Sequence, residues 1–212
     1  MSARPSPLRR AGIACAAAAL AATTFVACSR DRDAVPERVL LFGDSLLWQS
    51  ADEITGSLAS HGWDVDAIRA MPGATIQGQP LIDWPSVIAA EVADRRPGTV
   101  VVELGTNGCG AHCATIDAAI DDTMEPLRRV GRVVWIGVRI DAPIPDDPGA
   151  INAALRRAAD RWHNLDYVAL EGAFDDAAHI DGDAIHFTAA GEARFADLIA
   201  TSLGSPPADG PR

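Results

Sequence analysis

The stretch Gly43-Asp44-Ser45 interrupts a run of apolar residues, and it could be either a plain turn or the site of a nucleophile. A serine hydroxyl is a poor nucleophile unless a base takes its proton, so a reactive serine needs a positioned histidine. The segment 181–191, DGDAIHFTAAG, supplies His186 and, three residues before it, Asp183. Asp183 can reach back to the imidazole and fix its tautomer, which leaves the other ring nitrogen to act as the base. These residues could carry nucleophilic chemistry if the fold brings them together.

The alternation of apolar and amphipathic segments predicts such a fold. Continuous Val-, Ile- and Leu-rich runs are typical of strands buried on both faces of a parallel sheet. We predict strands at residues 38–42, 63–68, 99–104, 132–138 and 165–170. Helical patterns lie at residues 47–60, 85–94, 114–129, 149–161 and 189–202. Because alternating strands and helices form right-handed crossovers, we predict an α/β fold, a three-layer α/β/α sandwich around a parallel sheet.

The segments that follow the predicted strands are where chemistry is expected, since open parallel sheets bind ligands beyond the carboxyl ends of their strands. Gly43-Asp44-Ser45 follows the first strand, and AMPGATI, which contains Gly73, follows the second. Gly105-Thr106-Asn107-Gly108 follows the third, and the segment 181–191 lies between the fifth strand and the last helix. These four blocks, in this order, resemble those of the SGNH (GDSL-type) hydrolase family and span about 150 residues.

The resemblance implies a flavodoxin-like, five-stranded SGNH hydrolase fold and a serine hydrolase mechanism. Ser45 would be the nucleophile, His186 the general base and then the general acid, and Asp183 the partner of His186. The oxyanion hole would consist of the backbone N–H groups of Ser45 and Gly73 and the side-chain amide of Asn107. Neither this chemistry nor the spacing of possible ligands implies a metal ion or an organic cofactor.

Each of these residues also has an ordinary structural interpretation. Gly73 follows a proline, and Pro-Gly is a common turn pair. Asn107 could occupy a left-handed turn conformation. Asp183 could form an Asx turn, and His186 could be a partly buried loop residue. The catalytic interpretation depends on the residues being found together.

Two neighbours of Ser45 are expected to have structural roles. Asp44 is expected to cap a helix or hold a turn rather than to act as an acid in the reaction. Trp48 lies one helical turn beyond Ser45. It could line an acyl pocket, but we expect it to pack in the protein.

The third block departs from the pattern of many family members, which carry Asp where this chain has Gly108. Gly-Thr-Asn-Gly resembles the SGNH domains of polysaccharide and peptidoglycan O-acetyltransferases. Hydrolysis and transfer share one acyl-enzyme and differ in the acceptor, which is water or a sugar hydroxyl. We expect an esterase acting on small acyl esters, such as acetylated envelope carbohydrate, since the sequence shows no multi-span membrane segment to supply an acyl donor. An O-acetyltransferase and a non-catalytic glycan-binding lipoprotein are the alternatives.

The N-terminus resembles a bacterial export signal. Three arginines precede the uncharged segment 11–27, and a basic start before a short apolar stretch is typical of such signals. Phe25-Val26-Ala27-Cys28 resembles a lipobox, in which the Cys becomes the lipidated first residue. The predicted organisation is a signal peptide at 1–27, lipidated Cys28 with a short linker at 28–37, the hydrolase domain at 38–203 and a disordered tail at 204–212. Ordinary secretion is the alternative.

Cys109 and Cys113 lie close together in the stretch CGAHC. In an exported chain, a neighbouring pair is most simply a disulfide that closes a small loop. A metal site that adds His112 is the alternative, but it lacks an obvious fourth ligand.

The charge of the chain limits its partners. The formal net charge is −11, and no cluster of basic residues lies outside the extreme N-terminus, which argues against nucleic acid. The expected partners are a small-molecule or glycan ester and a membrane, held through a lipid at Cys28. We expect an exported protein of the cell envelope, anchored at the outer face of the cytoplasmic membrane or otherwise secreted.

Overall fold

The computed structural model describes residues 37–79, 82–174 and 176–207. The predicted signal peptide, Cys28 and the last five residues of the predicted tail lie outside the described residues. Residues 204–207 of that tail are described, and the carbonyl of Gly204 accepts a hydrogen bond of 2.7 Å from Trp63 Nε1. Within the described residues, no helix is long and apolar enough to cross a membrane.

Five parallel strands form the central sheet, as predicted. They are β1 (Glu37–Gly43), β2 (Trp63–Ala70), β5 (Thr99–Glu103), β6 (Arg132–Ile136) and β7 (Leu165–Val168). Their order is β2-β1-β5-β6-β7, and every neighbouring pair is parallel. This is the flavodoxin-like order, and the fold prediction is confirmed. The direction of strand succession reverses at β1, so the crevice for a ligand is expected at the carboxyl ends of β1 and β5.

Helices cover both faces of the sheet. They are α1 (Ser45–Gln49), α2 (Ala51–Ser60), α3 (Trp84–Arg95), α4 (Ile116–Met124), α5 (Pro148–Arg161) and α6 (Ala189–Leu203). Alternate residues of β1 point to opposite faces: Leu40 and Phe42 pack with α3, α4 and α5, whereas Val39 and Leu41 pack with α1, α2 and α6. Burial on both faces explains why the strand sequences are continuously apolar.

Local structure differs from the prediction in three places. The predicted helix at 47–60 is two helices, because Ser50 interrupts it with φ −92° and ψ 11°. A short antiparallel pair, β3 (Gly78–Gln79) and β4 (Ile82–Asp83), precedes α3 and was not predicted. The predicted helix at 114–129 is shorter because α4 passes into a 3₁₀ turn at Glu125–Leu127, which contains a proline.

Candidate active site

Ser45 is the first residue of α1, directly beyond the end of β1. Asp44 caps this helix, as expected: its Oδ1 accepts the Leu46 N–H at 3.0 Å. Gly43 has no room for a side chain, because a Cβ there would lie 2.6 Å from Leu47 Cβ and 2.9 Å from the carbonyl oxygen of Glu103. The Gly-Asp-Ser sequence therefore allows a tight passage from strand to helix that leaves Ser45 at the sheet edge.

Ser45, His186 and Asp183 form one hydrogen-bonded chain. The distance from His186 Nε2 to Ser45 Oγ is 2.9 Å, and the distance from His186 Nδ1 to Asp183 Oδ2 is 2.6 Å. The other oxygen of Asp183 accepts the backbone N–H groups of Ile185 and His186, each at 2.9 Å. With an ionised Asp183, Nδ1 carries the proton and Nε2 accepts from the serine hydroxyl. This arrangement can move a proton from Ser45 to His186.

The hydrogen bonds to Asp183 keep its carboxylate charged. The contact with the His186 ring is the largest cause, and with the two backbone N–H groups it lowers the pKa of Asp183 to about 2. The group is therefore an anion at neutral pH, which suits it to hold the imidazole and to stabilise the imidazolium that forms during proton transfer.

The loop that carries His186 is held in place by Arg139, a residue to which the sequence analysis gave no role. Arg139 is only 7% exposed, and its Nη1 donates to the carbonyl of Ala184 at 3.2 Å. Ala184 has the left-handed φ of 63°, which is uncommon outside glycine, so this turn needs support from its surroundings. A charged residue directly beyond a predicted apolar strand was the available signal for Arg139.

Asn107 connects the segments after β1 and β2. Its Nδ2 donates to the carbonyl of Ala74 at 3.0 Å and to Asp44 Oδ2 at 3.3 Å. Ala74 follows Gly73, which lies in an exposed turn with φ 79°. The three positions expected to form an oxyanion hole are thus brought to one edge of the sheet.

A disulfide joins Cys109 and Cys113, with their Cα atoms 5.8 Å apart. The bond engages both thiols, so they are not available as the metal ligands of the alternative interpretation. Among the described residues, no group of three or more metal-ligating side chains is found. The Cys109 N–H donates to Asp146 Oδ2 at 2.7 Å, which ties the disulfide loop to the loop after β6.

The same contact explains why a glycine follows Asn107. Gly108 has φ 80°, and a Cβ there would lie 2.7 Å from Asp146 Oδ2. An Asp at this position would have a strained left-handed φ, and its Cβ would displace the Asp146 carboxylate from the Cys109 N–H, so glycine suits the position.

Trp48 corrects one expectation. It is 60% exposed rather than packed, although it follows Ser45 by a single helical turn. Since side chains of a helix lean toward its N-terminus, we expect the exposed indole to lie on the Ser45 side of its own Cα.

A cleft of about 1150 Å³ lies on another part of the surface. The disulfide loop and α3 both line it, with His112 and Ser86 among the residues that they contribute. Its lining includes none of the hydrogen-bonded chain of Ser45, so we do not assign the chemistry to it.

A parallel sheet of this order, with a serine hydrogen-bonded to a His–Asp pair at its carboxyl edge, defines a hydrolase of the SGNH type. Residues 41–194 match the model of the GDSL-like lipase/acylhydrolase family. The chain belongs to this family, and it is an SGNH hydrolase.

Solved structures with this fold include several proteins of low sequence identity. One is the C-terminal catalytic domain of peptidoglycan O-acetyltransferase A from Streptococcus pneumoniae, at 18% identity and TM-score 0.61, covering 79% of this chain and 92% of that domain. Another is a family 3 carbohydrate esterase from Clostridium thermocellum, at 18% identity and TM-score 0.57, covering 80% and 99%. A third is the esterase EstA from a Pseudoalteromonas species, at 12% identity and TM-score 0.62, covering 79% and 96%. At these identities the likeness shows the fold alone.

One curated relative was found by sequence. The autotransporter adhesin BtaE of Brucella suis is 27% identical over an alignment of 151 positions that covers 65% of this chain. The chain spans only 20% of the length of that adhesin.

Proposed function

We propose that this protein is a serine esterase that hydrolyses small acyl esters, acetyl esters above all, on carbohydrate of the cell envelope. The observation that carries the proposal is the hydrogen-bonded chain Ser45–His186–Asp183, with contacts of 2.9 Å and 2.6 Å. A positioned base next to a serine hydroxyl is the arrangement that ester cleavage through an acyl-enzyme requires. It also argues against a merely glycan-binding role.

In the first half of the reaction, Ser45 Oγ attacks the ester carbonyl while His186 Nε2 takes the hydroxyl proton. The oxyanion is stabilised by the N–H groups of Ser45 and Gly73 and by the Asn107 amide. The Asn107 contact to Asp44, at 3.3 Å, is long for a hydrogen bond, so this N–H can be shared with an oxyanion. Collapse of the intermediate breaks the ester bond, and His186 gives its proton to the departing alcohol oxygen.

In the second half, water takes the place of the alcohol. His186 removes a proton from the water, and the resulting hydroxide attacks the acyl-enzyme carbonyl. Collapse releases the carboxylic acid, and His186 returns the proton to Ser45 Oγ. Asp183, whose pKa is lowered to about 2, stays ionised throughout and stabilises each imidazolium.

Two features favour a carbohydrate ester as the substrate. Trp48 exposes a flat apolar surface one turn from Ser45, and such a surface can stack on the apolar face of a sugar ring. Structural neighbours are described as a carbohydrate esterase and a peptidoglycan O-acetyltransferase. The net charge of −11 disfavours strongly anionic substrates.

Transfer to a sugar hydroxyl is the second candidate, since the Gly-Thr-Asn-Gly sequence resembles that of O-acetyltransferases. An experiment separates the two. The protein is incubated with an acetylated oligosaccharide, with and without a non-acetylated acceptor, and free acetate and acetylated acceptor are measured by mass spectrometry. Acetate release that the acceptor does not reduce supports the esterase, whereas an acetylated acceptor supports transfer. Neither product would refute both.

We further propose that the protein is exported and anchored by a lipid on Cys28, on the basis of the sequence pattern around that residue. Two or more acyl chains would suffice to hold it at a membrane. Cell fractionation of the wild type and of Cys28→Ala tests this. The wild type is expected in the membrane fraction and the variant in a soluble fraction. Equal distribution of the two would contradict the anchor.

A further inference from the structure

Two acidic side chains lie buried directly beneath the site. Asp44 is 0% exposed and Glu103, the last residue of β5, is 1% exposed. They are adjacent because Gly43 of β1 pairs with Glu103 across the sheet. The Asp44 N–H lies 3.1 Å from the Glu103 carbonyl oxygen and 3.3 Å from Glu103 Oε2, and the two carboxyl groups hydrogen-bond to each other.

Ionising both of two buried carboxyl groups in contact costs much free energy. Each charge would lose its hydration, and the two would repel. Within the described part of the chain, no arginine forms an ion pair with either group. One shared proton turns the repulsion into a hydrogen bond, so at neutral pH the pair should hold one proton.

The surroundings of the two groups, both their donors and their burial, decide which group keeps that proton. Asp44 accepts the Leu46 N–H at 3.0 Å and the Asn107 amide at 3.3 Å, which stabilise its charged form. Glu103 accepts the Asp44 N–H at 3.3 Å and a backbone hydrogen bond from Leu47, and Thr106 Oγ1 lies at the longer distance of 3.5 Å, but its carboxyl group is fully buried and faces the charge of Asp44. Burial raises the pKa of Asp44 to about 6, whereas burial and the neighbouring Asp44 raise the pKa of Glu103 well above its usual range.

We propose that Glu103 is a positioning residue for the esterase site: as a neutral carboxylic acid, it donates a hydrogen bond to Asp44 and holds that carboxylate in place. The Asp44 carboxylate in turn orients the Asn107 amide and caps the helix that begins at Ser45. This inference rests on the proposed function. Glu103 contacts neither substrate nor the reacting atoms in this account. It acts through Asp44, and its proton limits the negative charge beneath the oxyanion to one unit.

The shared proton predicts a pH effect on the reaction. Among the described residues, the titratable groups that act on the pair are its own two members and His186, whose charge acts on Asp44. As pH rises and the pair loses its proton, a second negative charge appears close to the forming oxyanion. That charge opposes the transition state, so kcat should fall on the alkaline side.

The proton also predicts a pH effect on stability. Because both pKa values are raised in the folded protein, the native state keeps the proton to a higher pH than the unfolded chain does. The contribution of the pair to stability is therefore greatest in acid, and it is lost as pH rises through the native pKa values.

The test compares Glu103→Gln with Glu103→Leu. A glutamine amide still donates to Asp44 but has no proton to lose, whereas leucine removes the donor. We expect kcat of Glu103→Gln for a chromogenic acetyl ester to stay within about threefold of the wild type at neutral pH and to lose the alkaline decline. Glu103→Leu should lose about tenfold or more in kcat with little change in KM, since misplacing one oxyanion donor costs up to about 10²–10³. Glu125→Gln, at an exposed Glu paired with Arg128, is the matched control.

The second readout is urea unfolding at several pH values. The unfolding midpoint of the wild type should fall more between about pH 6 and about pH 9 than that of Glu103→Gln. This readout does not depend on activity, so it tests the shared proton even if Glu103→Leu fails to fold.

Distinct results would overturn the inference. If Glu103→Gln is as inactive as Glu103→Leu, Glu103 acts as an anion and not as a donor. If Glu103→Gln keeps the alkaline decline and the pH dependence of unfolding of the wild type, the pair holds no such proton. A wild type without any esterase activity would refute the proposed function, while the unfolding measurement would still decide on the proton.

Discussion

Replacing Asp183 with Asn keeps the loop but should reverse the tautomer of His186. Asp183 Oδ1 accepts two backbone N–H groups at 2.9 Å, and the amide oxygen of Asn can accept both. The amide nitrogen then stands where Oδ2 contacts His186 Nδ1 at 2.6 Å. Because this nitrogen is a donor, Nδ1 must be unprotonated, and the ring proton moves to Nε2, which can no longer take the proton of Ser45.

The size of the effect follows from the burial of the carboxylate. The equivalent change in a serine protease, at a buried Asp, lowers kcat by about 10⁴. The Asp183 side chain is 49% exposed, so water can partly replace its hydrogen bond to the ring. We therefore expect a fall in kcat of about 10²–10³, equal to about 2.7–4 kcal/mol in the activation free energy.

The assay is the initial rate of hydrolysis of a chromogenic acetyl ester at neutral pH, with thermal unfolding to show that the variant is folded. Asp181→Asn is the matched control, since Asp181 lies on the same loop and its side chain accepts the N–H of the neighbouring Gly182 rather than contacting His186. It should stay within about threefold of the wild type in kcat. If Asp183→Asn also stays within that range, or if both variants lose activity equally, the reasoning about the tautomer is wrong.

Three further substitutions test other parts of the account. Trp48→Ala should raise KM for an acetylated oligosaccharide about tenfold without changing hydrolysis of a small chromogenic ester. Trp48→Phe should retain most of the affinity for the oligosaccharide, and an unchanged KM of Trp48→Ala would contradict the sugar-stacking role. Gly43→Ala should lower the free energy of unfolding by about 1–3 kcal/mol in urea titrations, because the new methyl group overlaps Leu47. A change under about 0.5 kcal/mol would show that the end of β1 has room for a side chain at this position. Arg139→Met should lower kcat about tenfold with KM nearly unchanged, since it removes the donor to the Ala184 carbonyl and loosens the loop that carries His186. An unchanged kcat would mean that the loop keeps its conformation without Arg139.

The sheet could be predicted from the sequence because buried parallel strands appear as continuous apolar runs. The run at 99–104 corresponds to β5 at Thr99–Glu103, and the run at 132–138 corresponds to β6 at Arg132–Ile136. Because ligands bind beyond the carboxyl ends of such strands, the segments that follow them were predicted to form the site, and the structure brings these segments together. Four separate blocks in one order also predicted the family.

Features set by packing between distant segments were not predictable in the same way. The pairing of Glu103 with Asp44 depends on the register of β1 against β5, which no local pattern specifies. Trp48 was expected to pack in the protein, but it lies next to the last residue of α1 and is 60% exposed. The contact of Gly108 with Asp146 joins loops that are far apart in the chain.

The most direct test of the central claim is hydrolysis of a chromogenic acetyl ester by the wild type, Ser45→Ala and Ser60→Ala. Ser60 is the matched control, because it is exposed at the end of α2 and its Oγ contacts the Ser57 carbonyl and His61 Nδ1 rather than His186. We predict activity in the wild type and in Ser60→Ala, and loss of at least about 10³-fold in kcat in Ser45→Ala. Equal activity of Ser45→Ala and the wild type would contradict the serine mechanism, and so would a folded wild type that cleaves no ester.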